Sequence, residues 1–313
     1  MATGPTDAAK QPEFLIEDIL PANEVHLLGG SSGSGKTTLV FQTLAAWQAG
    51  ESVFGHTSNP VPYSYISLDR SRSSVVRTLQ RLELESVITR VLCQEEYQKC
   101  DNSIAGVVDV ALKHHTDSKL LVIEGFQTIV GDASNKYAQV SSLLRRSASL
   151  CSQRQVTILG IAHSPKMKSD ESFQHSRELI LGSVAWGAYS DTVITVQLEE
   201  ATGNITVKIL PRNAPSESFH YVFGHRGILV PLEAAKPRDA IRLKIESLSA
   251  GSVLLRSEVL QWARAYKVSD KTADRVVADC LKNKVLDPVD VGIYERTSRT
   301  PLNMVQDSEI TVE

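Results

Sequence analysis

A glycine- and serine-rich stretch carries the most specific chemical pattern in the sequence. Gly30-Ser31-Ser32-Gly33-Ser34-Gly35-Lys36-Thr37 matches the spacing G-x-x-x-x-G-K-[ST] in full, and Thr38 follows it. Glycines let backbone N–H groups turn toward phosphate oxygens, and a helix that begins near the lysine adds the partial positive charge of its first turn. The lysine can bind terminal phosphates and the threonine hydroxyl can bind Mg²⁺. The stretch therefore predicts a site for Mg²⁺ and a nucleoside triphosphate, lined by residues 30–38.

Two predicted strands each end in a carboxylate. Leu120-Leu121-Val122-Ile123 is followed by Glu124, which we expect to hold the metal through water. Tyr65-Ile66-Ser67-Leu68 is followed by Asp69, where a general base could orient the attacking water. The alternative for Glu124 is an ordinary carboxylate at a strand end, and for Asp69 a helix cap or a surface acid.

The elements that must position these residues alternate along the chain. Apolar segments of strand length are separated by segments with helical spacing, which predicts a parallel sheet covered on both faces. The predicted strands are Val25–Leu28, Tyr63–Leu68, Val87–Cys93, Lys119–Ile123 and Val156–Ile161, and the predicted helices are Lys36–Gln48, Ser73–Leu84, Asn102–His114 and Tyr137–Arg154. After Asp191 the pattern changes to β-branched segments with turn signals, which predicts terminal antiparallel strands. The fold class is therefore α/β.

The last third of the chain predicts a separate small module. Pro231–Pro237 is typical of a linker, and three helical segments (Arg238–Leu248, Arg256–Tyr266 and Ser269–Lys284) precede a hairpin over Val285–Arg296. Helices and a hairpin in this order resemble a winged helix-turn-helix. We therefore divide the chain into a flexible leader (1–12), an ATPase-type core (13–235), a winged-helix module (236–300) and an acidic tail (301–313).

Composition sets the broad class of the protein. The chain has 313 residues, of which 42% are hydrophobic and 22% charged, so it can bury a sizeable core. The net charge of −3 excludes a basic footprint over the whole chain, though not a local patch. The four cysteines form no C-x-x-C pair, and no apolar run reaches the length of a membrane span. We expect a reduced, cytoplasmic protein with no membrane partner.

The order of these motifs resembles a known family. The phosphate loop is followed by "SYISLDRS", "LLVIEG", "ILGIAHSPK", "LGSVAWGAYSD" and a hairpin that ends in "VKILPRN". Over Phe14 to Val230 the sequence resembles RecA-fold P-loop ATPases, most of all the hexameric replicative helicases of the RepA/DnaB type. The resemblance implies ATP and Mg²⁺ as ligands, single-stranded DNA as partner and a homo-hexamer. The family usually has Glu at the position of Asp69 and Asp at that of Glu124, so both swaps keep the charge.

The same resemblance implies two further catalytic residues. His163 follows the predicted strand Val156–Ile161 and matches the position of a polar sensor of the γ-phosphate. Arg212 matches the position of an arginine finger that reaches the nucleotide of the neighbouring subunit. The alternatives are a satisfied polar residue at a strand end for His163 and a surface arginine for Arg212.

Two regions are candidates for contact with nucleic acid. The segment Ser164–Glu178 includes Lys166, Lys168 and Arg177, and in the resembled rings the matching loop faces single-stranded DNA. Acidic residues dilute its charge, so a plain solvated loop is the alternative. In the winged-helix module, Lys271 and Arg275 lie on the presumed recognition helix, which can contact duplex DNA or dock a replication protein.

These expectations combine into two functional hypotheses. The first is an ATP-hydrolysing, helicase-like motor that acts on single-stranded DNA as a ring. The second is an ATP-switched DNA-binding initiator, loader or recombination accessory protein that does not unwind DNA.

Overall fold

The computed structural model describes residues 13–97, 103–134, 136–163, 183–199, 202–232, 237–248, 250–265 and 268–297. Contacts among them divide the chain into two compact units. The described residues up to Leu198 form the first unit together with Thr206–Ser218, and Glu199–Ile205 forms the second with the described residues from Phe219 onward. The predicted leader, the tail and the whole basic segment Ser164–Glu178 lie outside the described residues, and the predicted domain boundaries stay a prediction.

The strands and helices are numbered in chain order. The strands are β1 Phe14–Ile16, β2 Leu20–Pro21, β3 Val25–Gly30, β4 Tyr63–Ser67, β5 Val91–Leu92, β6 Leu120–Glu124, β7 Thr157–His163, β8 Thr192–Leu198, β9 Asn204–Pro211, β10 Glu217–Phe223, β11 Leu229–Pro231, β12 Val253–Leu255, β13 Leu286–Asp290 and β14 Ile293–Arg296. The α-helices are α1 Lys36–Gln48, α2 Arg72–Leu82, α3 Gln94–Tyr97, α4 Ile104–His114, α5 Tyr137–Arg154, α6 Ala185–Ala188, α7 Pro237–Ser247, α8 Arg256–Ala265 and α9 Asp270–Lys282.

A nine-stranded sheet has the order β11-β10-β9-β8-β3-β7-β6-β4-β5. The pairs from β8 through β5 are all parallel, and β10 pairs with β11 antiparallel. All residues of β3, β4 and β6 are buried, as expected for parallel strands with both faces covered. The predicted α/β fold with a large, mostly parallel sheet and terminal antiparallel strands is confirmed.

The core of the first unit positions the carboxyl ends of three strands side by side. Leu27 of β3, Ile123 of β6 and Ile158 of β7 are fully buried in one hydrophobic cluster with the inner faces of α4 and α5. The register pairs Leu27 with Gly160 and Ile123 with Gly160, which aligns the strands across the sheet. Because the strands run parallel, the residues that follow them gather at one edge of the sheet.

The second unit contains three helices and a three-stranded sheet. The sheet order is β12-β14-β13, with both pairs antiparallel. Helices α7, α8 and α9 supply a core that includes Ile241, Val259 and Val276, packed with Leu254 and Leu286 of the sheet. The three predicted helices and the hairpin are present, and β12 is a strand that the sequence did not indicate.

One predicted strand is largely wrong. Residues Glu85–Arg90, which overlap the first half of the predicted strand Val87–Cys93, form a 3-10 helix, and only Val91–Leu92 pairs with β4. Val87 donates its N–H to the carbonyl of Leu84 (3.1 Å) and is still fully buried. A turn can therefore bury an apolar side chain as well as a strand does, which the periodicity of a short segment cannot distinguish.

Among the described residues, no helix combines the length and the apolar character that crossing a membrane would require.

Candidate functional site

The phosphate loop joins the end of β3 to the start of α1. Gly33 and Gly35 have φ angles of 78° and 95°, a left-handed conformation that favours glycine, and Gly35 is the N-cap of α1. A Cβ atom on Gly30 would lie 2.2 Å from the carbonyl oxygen of Val196 and 2.9 Å from Ser34 Oγ. Two of the predicted glycines are therefore required by their backbone angles, and Gly30 by the close approach of Val196.

Lys36 lies buried at the base of the loop. Its Nζ donates to the carbonyl oxygens of Gly30 (2.8 Å) and Ser31 (2.7 Å). Burial lowers the pKa of Lys36 to about 8, while Glu124 and Asp69 act in the opposite direction and raise it. A cation held this way is positioned to bind a phosphate group, and at neutral pH it remains mostly protonated.

Glu124, the last residue of β6, is held by two hydroxyl groups. Thr37 Oγ1 donates to Glu124 Oε1 (2.8 Å), and Ser67 Oγ donates to Glu124 Oε2 (2.8 Å). The carboxylate is almost fully buried, with 8% of its side chain exposed. The structure thus brings together the two residues predicted to bind Mg²⁺, Thr37 and Glu124.

Asp69 lies just beyond the end of β4, next to Glu124. Ser67 Oγ is 3.4 Å from Asp69 Oδ1, and a Cβ on Gly125 would lie 3.1 Å from Asp69 Cγ. Gly125 has a φ of 77°, so a glycine is needed there both for the turn and for the approach of Asp69. Burial and the charge of Glu124 raise the pKa of Asp69. A carboxylate with a raised pKa is a stronger proton acceptor than an aspartate with an ordinary pKa.

Arg70 is a member of the site that the sequence analysis missed. Its Nη1 lies 3.7 Å from Glu124 Oε1, and its Nη2 donates to the Ser74 carbonyl (3.0 Å) and to Thr78 Oγ1 (2.6 Å) on α2. Ser67 was missed in the same way. In "ISLDRS", Ser67 lies two residues before Asp69 and Arg70 directly after it, so their closeness in sequence to a predicted catalytic acid was the available signal.

His163 ends β7 at the same edge of the sheet. Its pKa is lowered by desolvation and then by the positive charge of Lys36, whereas Asp69 and Glu124 raise it. The side chain is exposed and is expected to be neutral at pH 7, in a form that can donate one hydrogen bond. Lys36, Asp69, Glu124 and His163 therefore form one cluster.

The residues present fit a triphosphate with Mg²⁺. The loop offers N–H groups near left-handed glycines and the cationic Lys36, which suit phosphate oxygens. Ser34 Oγ is buried and has no hydrogen-bond partner among the described residues, so it retains a donor for a ligand. Thr37 and Glu124 supply the oxygen atoms that Mg²⁺ prefers.

Arg212 lies away from this cluster in its own chain. It follows β9, and its Nη2 donates to the carbonyls of Ala188 (2.8 Å) and Ser190 (3.1 Å). Its Nε is 3.6 Å from Asp191 Oδ1, and 47% of its side chain is exposed. Asp191 donates its N–H to the Val25 carbonyl at the start of β3, whereas the phosphate loop follows the end of β3. Arg212 therefore cannot contact the phosphate site of its own chain.

The structure describes two of the five residues predicted to contact nucleic acid. Lys166, Lys168 and Arg177 lie outside the described residues. Lys271 and Arg275 are exposed on α9 in the second unit, and the neighbouring Asp274 is paired with Arg256 at 2.7 Å. The side chains of Lys271 and Arg275 are therefore accessible to a partner.

Comparisons with known proteins find a matching family and similar solved structures. A family model described as an AAA domain matches residues 6–169 of the 313, which is more than half of the chain. A KaiC-like protein of the hyperthermophilic archaeon Pyrococcus horikoshii is similar in structure, with a TM-score of 0.47 and 17% identity over 69% of this chain and 93% of that one. No curated protein matches the chain in sequence. The matched residues include the phosphate loop, Asp69, Glu124 and His163.

Proposed function

Because the chain belongs to the AAA domain family, we propose that it is an ATP-hydrolysing, helicase-like motor that acts on single-stranded DNA as a ring. The observation that carries this proposal is the cluster at one sheet edge, where Lys36 lies beside two acidic residues and Thr37 bonds to Glu124 at 2.8 Å. Such a set of groups is suited to phosphoryl transfer from ATP to water.

The residues of the chain take distinct parts in this reaction. The N–H groups of residues 30–38 and Lys36 bind the phosphates and stabilise the negative charge of the transition state. Bound Mg²⁺ would neutralise phosphate charge, held by Thr37 and by Glu124. Asp69 accepts a proton from the attacking water, and His163 hydrogen-bonds the terminal phosphate.

The position of Arg212 supports assembly as a ring. Since Arg212 lies at the opposite end of β3 from its own phosphate loop, a finger role requires a neighbouring copy of the chain. An arginine contributed by a neighbour stabilises charge on the transferring phosphoryl group. A homo-hexamer is the assembly that the family resemblance implies.

The second unit supports a recognition role. Its elements follow the order α7-β12-α8-α9-β13-β14, and we infer that it is a winged-helix module. Lys271 and Arg275 on α9 would contact duplex DNA or a replication protein. The hairpin is acidic on its exposed residues Asp287, Asp290 and Glu295, which favours the protein partner for that part of the module.

The second candidate function is an ATP-switched initiator, loader or recombination accessory protein. It is favoured by Asp69, whose carboxylate is one methylene shorter than the glutamate usual in the resembled family. Because catalytic groups act at ångström-scale distances, such a change suits slow turnover.

The test is ATP turnover with and without single-stranded DNA, combined with unwinding of a forked duplex. We expect single-stranded DNA to raise turnover and strand separation to require a hydrolysable nucleotide.

Asp69→Asn should lower turnover by roughly 100-fold or more while ATP is still bound, since a general base contributes about that much. Asp109→Asn is the matched control, because Asp109 pairs with Arg154 at the surface. Turnover that is the same with every oligonucleotide and salt concentration contradicts the motor. A duplex footprint that requires ATP, without strand separation, favours the second function.

A further inference from the structure

Two tyrosines and an arginine form a cluster on the surface of the first unit. Tyr137 begins α5, Arg145 lies two turns later, and Tyr189 follows α6. Arg145 Nη2 donates to Tyr189 Oη (2.7 Å), and its guanidinium lies 4.9 Å from the centre of the Tyr189 ring. The rings of Tyr137 and Tyr189 meet edge to face at 6.3 Å, with their hydroxyl oxygens 3.3 Å apart. We call these three residues the tyrosine–arginine platform.

The platform presents flat surfaces to solvent. Tyr137 is 50% exposed, which is unusual for a large aromatic side chain that already has ring contacts. Arg145 is also exposed, and its guanidinium lies over the Tyr189 ring. The hydrogen bonds hold these planes in place before any ligand binds, which lowers the entropy cost of binding.

The charge of the platform is not neutralised within the described part of the chain. There, no carboxylate forms an ion pair with Arg145, whereas Arg154 on the same helix is paired with Asp109 at 2.8 Å. A second guanidinium is close by, because Arg212 donates to the carbonyls on either side of Tyr189, those of Ala188 and Ser190, although Asp191 at 3.6 Å pairs with it. Aromatic rings and cationic planes are therefore combined on one exposed surface.

We propose that the tyrosine–arginine platform binds single-stranded nucleic acid, with a base stacked on the Tyr137 ring and Arg145 contacting a phosphate or the next base. Aromatic side chains and arginines are the groups that bind unpaired bases without sequence preference. A duplex hides the faces of its bases, so the platform selects single strands. This inference rests on the proposed function and adds a binding site to it.

The experiment measures binding of a fluorescent oligothymidine to the full chain over a series of salt concentrations. Tyr137→Ala should weaken binding about fivefold or more, because it removes a stacking surface, and should leave the salt dependence unchanged. Arg145→Ala should weaken binding and also reduce the slope of log affinity against log salt by about 0.7, the value for one lost phosphate contact on a single strand. Tyr137→Phe keeps the ring and should bind like the unaltered chain.

Arg146→Ala is the matched control, because Arg146 is the next residue on α5, equally charged and exposed. It should change neither the affinity nor the slope by as much as Arg145→Ala does. Thermal unfolding of each variant checks that the exposed substitutions leave the fold intact.

If the unaltered chain binds the oligonucleotide but Tyr137→Ala and Arg145→Ala bind equally well, the platform proposal is wrong and the motor proposal stands. If the unaltered chain binds no single strand, both proposals are overturned. Preferential loss of duplex binding in these variants also contradicts the platform.

Discussion

At the scale of single residues, the site depends on opposite charges held close together out of water. Glu124 is buried, yet its oxygens accept hydrogen bonds from Thr37 and Ser67 and lie near the cations Lys36 and Arg70. Buried charges of this kind persist only where partners compensate their desolvation. The cluster is therefore prepared to receive the charges of a bound nucleotide.

The first prediction concerns the ionisation of Lys36. Because burial lowers its pKa to about 8, the free chain loses this proton as the pH rises above that value. Bound phosphates favour the protonated form of Lys36, so ATP binding takes up a proton at high pH. The affinity for ATP therefore falls as the pH rises. We expect the dissociation constant for ATP to be steady near pH 7 and to rise by up to about tenfold per pH unit above pH 8.

Equilibrium titration with a fluorescent ATP analogue checks this pH dependence. Lys36→Ala is the control, since it should bind weakly and show no comparable change over the same range. An affinity of the unaltered chain that stays constant up to about pH 9.5 would show that Lys36 does not titrate as its burial requires.

The residues of the site differ in how far the sequence reveals them. Lys36 and Thr37 are fixed by a contiguous motif, and Glu124 and Asp69 follow apolar strands that the sequence marks clearly. Arg70 has no such pattern, because its role depends on a contact with Thr78 one helix away and on the approach of Glu124 from another strand. Contacts across strands are set by register, which local sequence does not encode.

At the scale of elements, long apolar strands were predictable and short ones were not. Segments such as Leu120–Glu124 are buried along their whole length, so composition alone identifies them. The hairpin of β1 and β2 and the strand β12 are only two or three residues long and carry too few residues to show a period. The turn over Glu85–Arg90 shows the opposite error, since its apolar residue Val87 is buried without forming a strand.

The second prediction concerns the packing of β7 against the turn that follows β6. A Cβ on Gly160 would lie 2.5 Å from Phe126 Cδ1 and 3.1 Å from Leu27 Cδ2, and both of these side chains are fully buried. Gly160→Ala must displace the Phe126 ring, which also packs on Trp186 at 6.1 Å. We expect the free energy of unfolding to fall by about 1–3 kcal/mol, as overpacking of a dense core does.

Urea unfolding of the single and double variants separates this contact from other effects. Phe126→Leu alone should also destabilise the chain, but the double variant Gly160→Ala/Phe126→Leu should lose less stability than the sum of the two. A double-mutant cycle isolates such a coupling between residues in contact. Strictly additive losses would mean that the two side chains do not compete for the same space.

At the scale of the whole molecule, one chain contains only part of the proposed catalytic machinery. Arg212 lies near the first residue of β3, whereas Lys36 follows its last residue. Because β3 is six residues long, roughly 17 Å of strand separates the two positions. Such a separation excludes direct cooperation within one chain. If Arg212 acts on a nucleotide, it acts on that of another copy, and a head-to-tail interface that closes on itself produces a ring.

The third prediction follows from this need for residues from two copies of the chain. Lys36→Ala chains cannot bind phosphate productively but still offer Arg212, whereas Arg212→Ala chains keep Lys36 and lack the finger. Each variant alone should hydrolyse little ATP, but an equal mixture should regain activity at interfaces where an intact Lys36 site faces an intact Arg212. With random mixing, about one interface in four has this combination, so the expected turnover is roughly a quarter of that of the unaltered chain.

Arg146→Ala mixed with Lys36→Ala is the control, because it should give the activity that dilution of active chains predicts. If the two inactive variants stay inactive when mixed, although sedimentation shows that they assemble together, Arg212 does not complete the site of a neighbour and the ring mechanism fails.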